Sequence, residues 1–105
     1  MTDEDRMLDA IRNYWFDLGE PGFHFPESEF QRVSYSRWAV DEIMLKLLTH
    51  SDGRYGVRQA VEEFKNDMRM CVNIAHENQK WDNYNMFVIG YSVAEDLSDI
   101  LNAMV

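Results

Sequence analysis

The sequence predicts an all-α protein, a compact bundle of four helices in a single domain. Three observations carry this prediction. Apolar side chains recur at spacings of three and four over most of the chain, the period of a helix with one buried face. Five Gly and two Pro in 105 residues leave little material for the many turns of a β fold. No stretch alternates strand-like and helix-like patterns. Apolar residues make up 46%, too many for a disordered chain, and 28% are charged, enough to solvate the outside of a globule. A helical chain of this length can close a core without disulfides or metal.

The helices follow in order. Thr2 is a good N-cap, and Asp3, Glu4 and Asp5 fill a first turn where the helix dipole favours negative charge. Met7, Leu8, Ile11, Tyr14, Trp15 and Leu18 form one stripe, and Gly19 with Pro21 ends it, giving a helix over about 3–18. Residues 19–27 are expected to be a loop whose Phe23 and Phe25, either side of His24, tuck under as a lid on the core. Two alternatives follow. Ser28 with Gln31 could form a capping box that opens one long helix; or residues 28–35 are extended or a short extra helix, and Ser36 caps the main one. Val40, Ile43, Met44, Leu47 and Leu48 fix a helix over 37–49 in either case, and His50, Ser51, Asp52, Gly53, Tyr55 and Gly56 supply the turn after it. Val57, Ala60, Val61, Phe64, Met68, Cys71, Val72 and Ala75 predict the third helix over 57–78. Met70 and Ile74 widen its stripe and suggest burial on two sides. Residues 78–82 break the pattern, and Asn83 or Asn85 is expected to cap a fourth helix over 85–104. There Phe87, Tyr91, Ala94, Leu97, Leu101 and Met104 make one face, with Val88, Val93 and Ile100 beside it. So broad an apolar arc predicts either a central position or an oligomer contact. Gly90 inside this helix costs about 1 kcal/mol against Ala; it marks either a close approach by another helix or simple tolerance.

The net charge of −9 is unevenly spread: −4 over residues 1–20, −2 over 21–52, +1 over 53–80 and −4 over 81–105. Such a chain is poorly suited to direct nucleic-acid binding or to an anionic membrane surface, where clustered Lys and Arg are needed. It has no apolar run near the roughly 20 residues a membrane span requires. The acidic start is unlike a signal peptide, and the single cysteine, Cys71, fits a reducing compartment, so a cytoplasmic protein is expected. The third segment is the one mildly basic element, through Arg54, Arg58, Lys65 and Arg69. Its bases either complement acidic neighbouring helices, each exposed pair contributing well under about 1 kcal/mol, or dilute an acidic surface that meets a basic protein partner. Asp3, Glu4, Asp5, Asp9, Glu95, Asp96 and Asp99 are the candidates for that surface.

No chemistry-bearing motif stands out. His24, His50 and His76 lie far apart, and none has a second His one turn away, so neither a metal nor a cofactor is expected. Cys71 sits on the apolar stripe, where a thiol is inert. The carboxylates Glu62 and Glu63, and the group Glu95, Asp96 and Asp99, read as solvated faces rather than as an acid with a raised pKa. Asp52 and Gly53 lack the ligand series of a calcium loop. No phosphate loop, dinucleotide motif or nucleophile elbow is present, so no catalytic residue is assigned and no enzyme is expected. Tyr35 with Trp38, and Trp81 with Tyr84, lie near helix ends and are the candidate aromatic contacts. Seven Met serve either core packing or an adaptable interface.

Residues 34–43 (SYSRWAVDEI), 61–64 (VEEF) and 93–101 (VAEDLSDIL) resemble, in the same order, segments of small uncharacterised acidic helical proteins of bacterial phages and mobile elements. The resemblance implies a short accessory protein and transfers no catalytic residue. The expectation is a non-enzymatic protein-binding module, in its sharpest form an acidic inhibitor of a host nucleic-acid-binding protein. The second reading is a homodimer closed by the fourth helix.

Overall fold

A computed structural model describes residues 2–18, 27–49 and 56–104, the side chains of 27–29 excepted. They form four helices and, among the described residues, no strand: α1 (Asp3–Asp17), α2 (Glu27–Thr49), α3 (Val57–Glu77) and α4 (Trp81–Ala103). The expected lid of Phe23 and Phe25, the C′ glycine Gly19 and the turn at 50–55 lie outside the described residues.

α1 starts as its sequence dictates. The Asp5 N–H donates to Thr2 Oγ1 at 3.1 Å, and the Thr2 N–H donates to the Asp5 carboxylate at 3.2 Å. This reciprocal box satisfies two donors that a helix start otherwise leaves bare.

α2 is one helix from Glu27 onward, so there is no separate short helix at 28–35. Ser36 does not cap it. It sits in mid-helix and is buried on the inner face, between the buried Val33 and Val40.

α3 keeps its predicted stripe, with Val57, Ala60, Val61, Phe64, Met68 and Ala75 buried. The second buried side is absent, because Met70 is 63% exposed and Ile74 52%. Both stay largely in water, Ile74 at the edge of a shallow dip it shares with Phe87 of α4.

α4 begins at Trp81, four residues before the expected start, and Asn83 and Asn85 lie inside it rather than capping it. The reason is the join at 78–80. The Lys80 N–H donates to the Ala75 carbonyl at 2.9 Å and the Gln79 N–H to the His76 carbonyl at 3.2 Å. This is the two-bond Schellman closure, with Gln79 at φ 56 in the left-handed position usually given to glycine. Glycine is missing there, so the sequence hides a turn tight enough to start α4 at once.

α3 and α4 form an antiparallel hairpin, laced along its length. Arg58 donates to Asn102 Oδ1 at 2.8 Å, the Ser98 hydroxyl to Glu62 at 3.1 Å, and Arg69 to the Tyr91 hydroxyl at 3.2 Å. α4 packs against all three other helices. Its broad apolar arc is thus accounted for chiefly by its central position. Gly90 is a close approach: a Cβ there would stand 3.0 Å from Met68 Sδ and 3.4 Å from Phe64 Cζ. The most deeply buried large side chains, Phe64, Ile11, Ile43, Leu97, Leu101, Val40 and Val61, come from all four helices and make one core. Each contributes about 1.5–3 kcal/mol by leaving water.

Candidate interaction surfaces

The seven acidic candidates do not form one patch. Glu4 is diverted to structure. α3 begins at Gly56, which has no side chain to cap it. The Val57 N–H instead donates to Glu4 Oε2 at 2.9 Å, so α1 caps α3 across the fold. Gly56 leaves room for this, since a Cβ there would lie 2.9 Å from Glu4 Oε1. At the same end, Arg58 donates to the Leu101 carbonyl at 2.7 Å. A cation thereby serves one of the last carbonyls of α4, where the helix dipole favours positive charge. Asp5 is occupied in the α1 capping box, and Asp3 and Asp9 are exposed partners of Arg6 and Arg12 on their own helix, at 4.0 and 3.6 Å.

Glu95, Asp96 and Asp99 are different. All three are exposed, within one turn of α4, a helix that carries no Lys, Arg or His. The Tyr14 hydroxyl donates to Asp96 at 3.1 Å and ties this face to α1. Burial, and then the Asp96 carboxylate, push the Tyr14 hydroxyl up to about 12. Asp17 and Arg32 share with Tyr14 and Asp96 a cleft of about 350 Å³ and mixed lining between α1, α2 and α4. Asp17 was not among the sequence candidates. Only the antiparallel run of α1 along α4, with Asp3 beside Met104 and Tyr14 beside Asp96, puts it there.

The basic residues of α3 do turn toward α4. They meet a carbonyl, an amide and the Tyr91 phenol, with Arg69 and Lys65 5.8 and 5.9 Å from the Tyr91 ring, and Arg69 also feels the charge of the Glu95 carboxylate. Arg58 and Arg69 thus hydrogen-bond neutral groups of α4, while the charge of Arg69 offsets part of that of Glu95. An ion pair joins α2 to α3, Lys46 with Asp67 at 3.0 Å.

The aromatic candidates also divide. Trp38 is half-buried, with its edge against Phe64 at 6.0 Å, and so belongs to the core. Tyr35, also half-buried, accepts from Gln31 Nε2 at 3.2 Å. Trp81 is half-exposed and packs edge-on with Tyr84 and His76, all three ring centroids within 5.9 Å of one another. Rings so close fill the space between themselves and leave no room for a ligand cation. Cys71 is half-buried against the core, in a shallow apolar dip with Ile74 and Phe87. Burial, and then Asp67, raise its thiol above the usual range, away from the reactive thiolate.

The largest departure from the sequence reading is an apolar groove of about 350 Å³ between α1 and α2, floored by Ile11, Trp15, Val40 and Met44 and edged by Phe16, Arg12 and Asp41. Phe30, Leu45 and Leu48 are further exposed apolar side chains of α2. Arg37 stacks 3.9 Å over Trp15, and both Arg37 Nε and Trp15 Nε1 are buried with no acceptor among the described residues. Sequence patterning assigns Trp15 and Leu48 to the inner stripes and gives Phe16 no role. The signal that could have found exposed apolar surface on α2 is the row Phe30, Leu45 and Leu48, which lies one step off its buried stripe.

Among the described residues no three His, Cys, Asp or Glu side chains converge, and no helix is long and apolar enough to cross a membrane. Comparison with protein-family models, curated proteins and solved structures gives no match.

Proposed function

We propose that this chain is a non-enzymatic accessory module that binds a basic protein through the outer face of α4. One observation carries the reading. Glu95, Asp96 and Asp99 lie exposed within a single turn of a helix that has no cation of its own, and Arg58 and Arg69 of α3 spend their hydrogen bonds on neutral groups of that helix. Carboxylates three and four residues apart on a helix stand about 5–6 Å apart, similar to neighbouring phosphates on a nucleic-acid strand. A groove on a host protein built for that strand offers Lys and Arg at matching spacing, so the sharper form of the proposal is an inhibitor that occupies it. The resemblance to small acidic proteins of phages and mobile elements supports the same reading. Asp17 and Asp96 carry the surface toward α1, where Arg32 shares their cleft. The inert single thiol supports a cytoplasmic setting.

The test is capture from a lysate with the wild-type chain and with a triple variant, Glu95→Lys, Asp96→Lys and Asp99→Lys. A second variant, Glu77→Lys at the exposed end of α3, is the control. A partner held by wild type and control, lost from the triple variant and released by salt is the expected result. Equal capture by all three chains contradicts the proposal.

A further inference from the structure

We infer that the α1–α2 groove is the contact of a symmetric dimer of this chain, in which Phe16 of each copy enters the groove of the other. The inference concerns a different face from α4 and stands or falls separately from the binding role above.

The first argument is shape. A symmetric two-fold contact uses the same patch on both copies, so that patch must hold both a projection and a recess. This one does. Phe16 is 68% exposed and stands at the rim of a groove of about 350 Å³ floored by apolar side chains. An apolar cavity of about 150 Å³ holds a benzene ring, so a phenyl group fits with room for the groove to adjust around it. Leu48, 81% exposed, and Leu45 are further exposed apolar side chains of α2.

Charge decides the occupant. The groove edge carries one cation and one anion, Arg12 and Asp41, with Asp9 beside Arg12 and Arg37 stacked on Trp15. A strongly basic partner gains little from so balanced a patch. A second copy presents the same balance, and a two-fold axis through the groove can set Arg12 of one copy near Asp41 of the other. The contact also leaves the α4 carboxylates outside it, so the surplus negative charge of the two copies does not meet across the interface.

Size is adequate. α1 and α2, of 15 and 23 residues, are about 22 and 35 Å long and each about 10 Å across. Side by side they make a face of about 570 Å², toward the lower end of the roughly 800 Å² per partner that a standard specific interface buries.

Sedimentation of the full chain from low to high micromolar concentration tests the inference. The wild type is expected to form a dimer. Phe16→Glu and Leu48→Glu should each raise its dissociation constant roughly tenfold or more, with unchanged circular dichroism because both side chains already face water. Val88→Glu and Ile100→Glu, on the exposed edge of α4, should leave the dimer intact. A chain that stays monomeric throughout, a dimer that survives Phe16→Glu and Leu48→Glu together, or a dimer broken by Val88→Glu would each overturn it.

Discussion

The α3–α4 hairpin and the α1–α2 pair are built from similar material and end up in opposite conditions. Along the hairpin Gly90 admits Met68 and Phe64, Arg58 closes on the last turn of α4, and a Schellman turn joins the helices with three residues between them. Both pairs leave apolar side chains in water, Phe16, Leu45 and Leu48 on one and Met70 and Ile74 on the other, but only across α1 and α2 do two buried donors, of Trp15 and Arg37, meet no acceptor among the described residues. Apolar content does not separate the two pairs; closure does. A small residue at the crossing and bonds at the ends bring one pair together, and the other keeps a groove.

The largest expected effect sets the two regions side by side. Phe64→Ala removes a ring that is 2% exposed between α2, α3 and α4 and should lower unfolding stability by about 3–5 kcal/mol. Phe16→Ala, on the groove edge, should stay within about 0.5 kcal/mol for the dilute monomer. Urea titration checks both, and similar losses at the two positions would erase the contrast. Next is the cap between α1 and α3. Glu4→Ala should cost about 1 kcal/mol by stripping the Val57 N–H of its acceptor, and the loss should show as a lower denaturation midpoint with an unchanged slope. Smaller still, and of opposite sign, Gln79→Gly should stabilise the hairpin by about 0.5–1 kcal/mol, because glycine adopts the left-handed backbone without strain. A thermal melt that falls instead would remove the Schellman account.

The last effect is confined to alkaline pH. Tyr14 has its hydroxyl raised from 10.0 to about 12 in the folded chain. A folded pKa above the unfolded one means that the folded state holds the proton more tightly. The contribution is complete below pH 10 and fades as pH rises from there through about 12. Ultraviolet titration of phenolate formation should show a late step near that value, absent in Tyr14→Phe.

How much of this could be read in the sequence follows the range of each interaction. Met7 and Ile11, or Val57 to Met68 in steps of three and four, repeat within a helix, so the four elements and most of the core are visible in the chain itself. The start of α2 was ambiguous because Ser28 and Ser36 are both cap-forming residues, and only burial decides that Ser36 faces inward. The start of α4 was hidden by Gln79 in a glycine position. Glu4 and Arg58 looked like surface charge because their partners, Val57 and Leu101, are 53 and 43 residues away. The acidic turn of α4 was legible as composition. Its separation from Asp5 and Asp9, and its union with Asp17, depend on how α1 lies along α4.

Native-state hydrogen exchange of the dilute monomer tests the contrast between the two helix pairs most directly. The slowest amides should cluster in α3 and α4 around Phe64, Val93 and Leu97, exchanging only through global unfolding, while the amides of α1 exchange through a smaller opening at lower free energy. A single common free energy of exchange for α1 and α4 would contradict the claim that one pair is closed and the other left open.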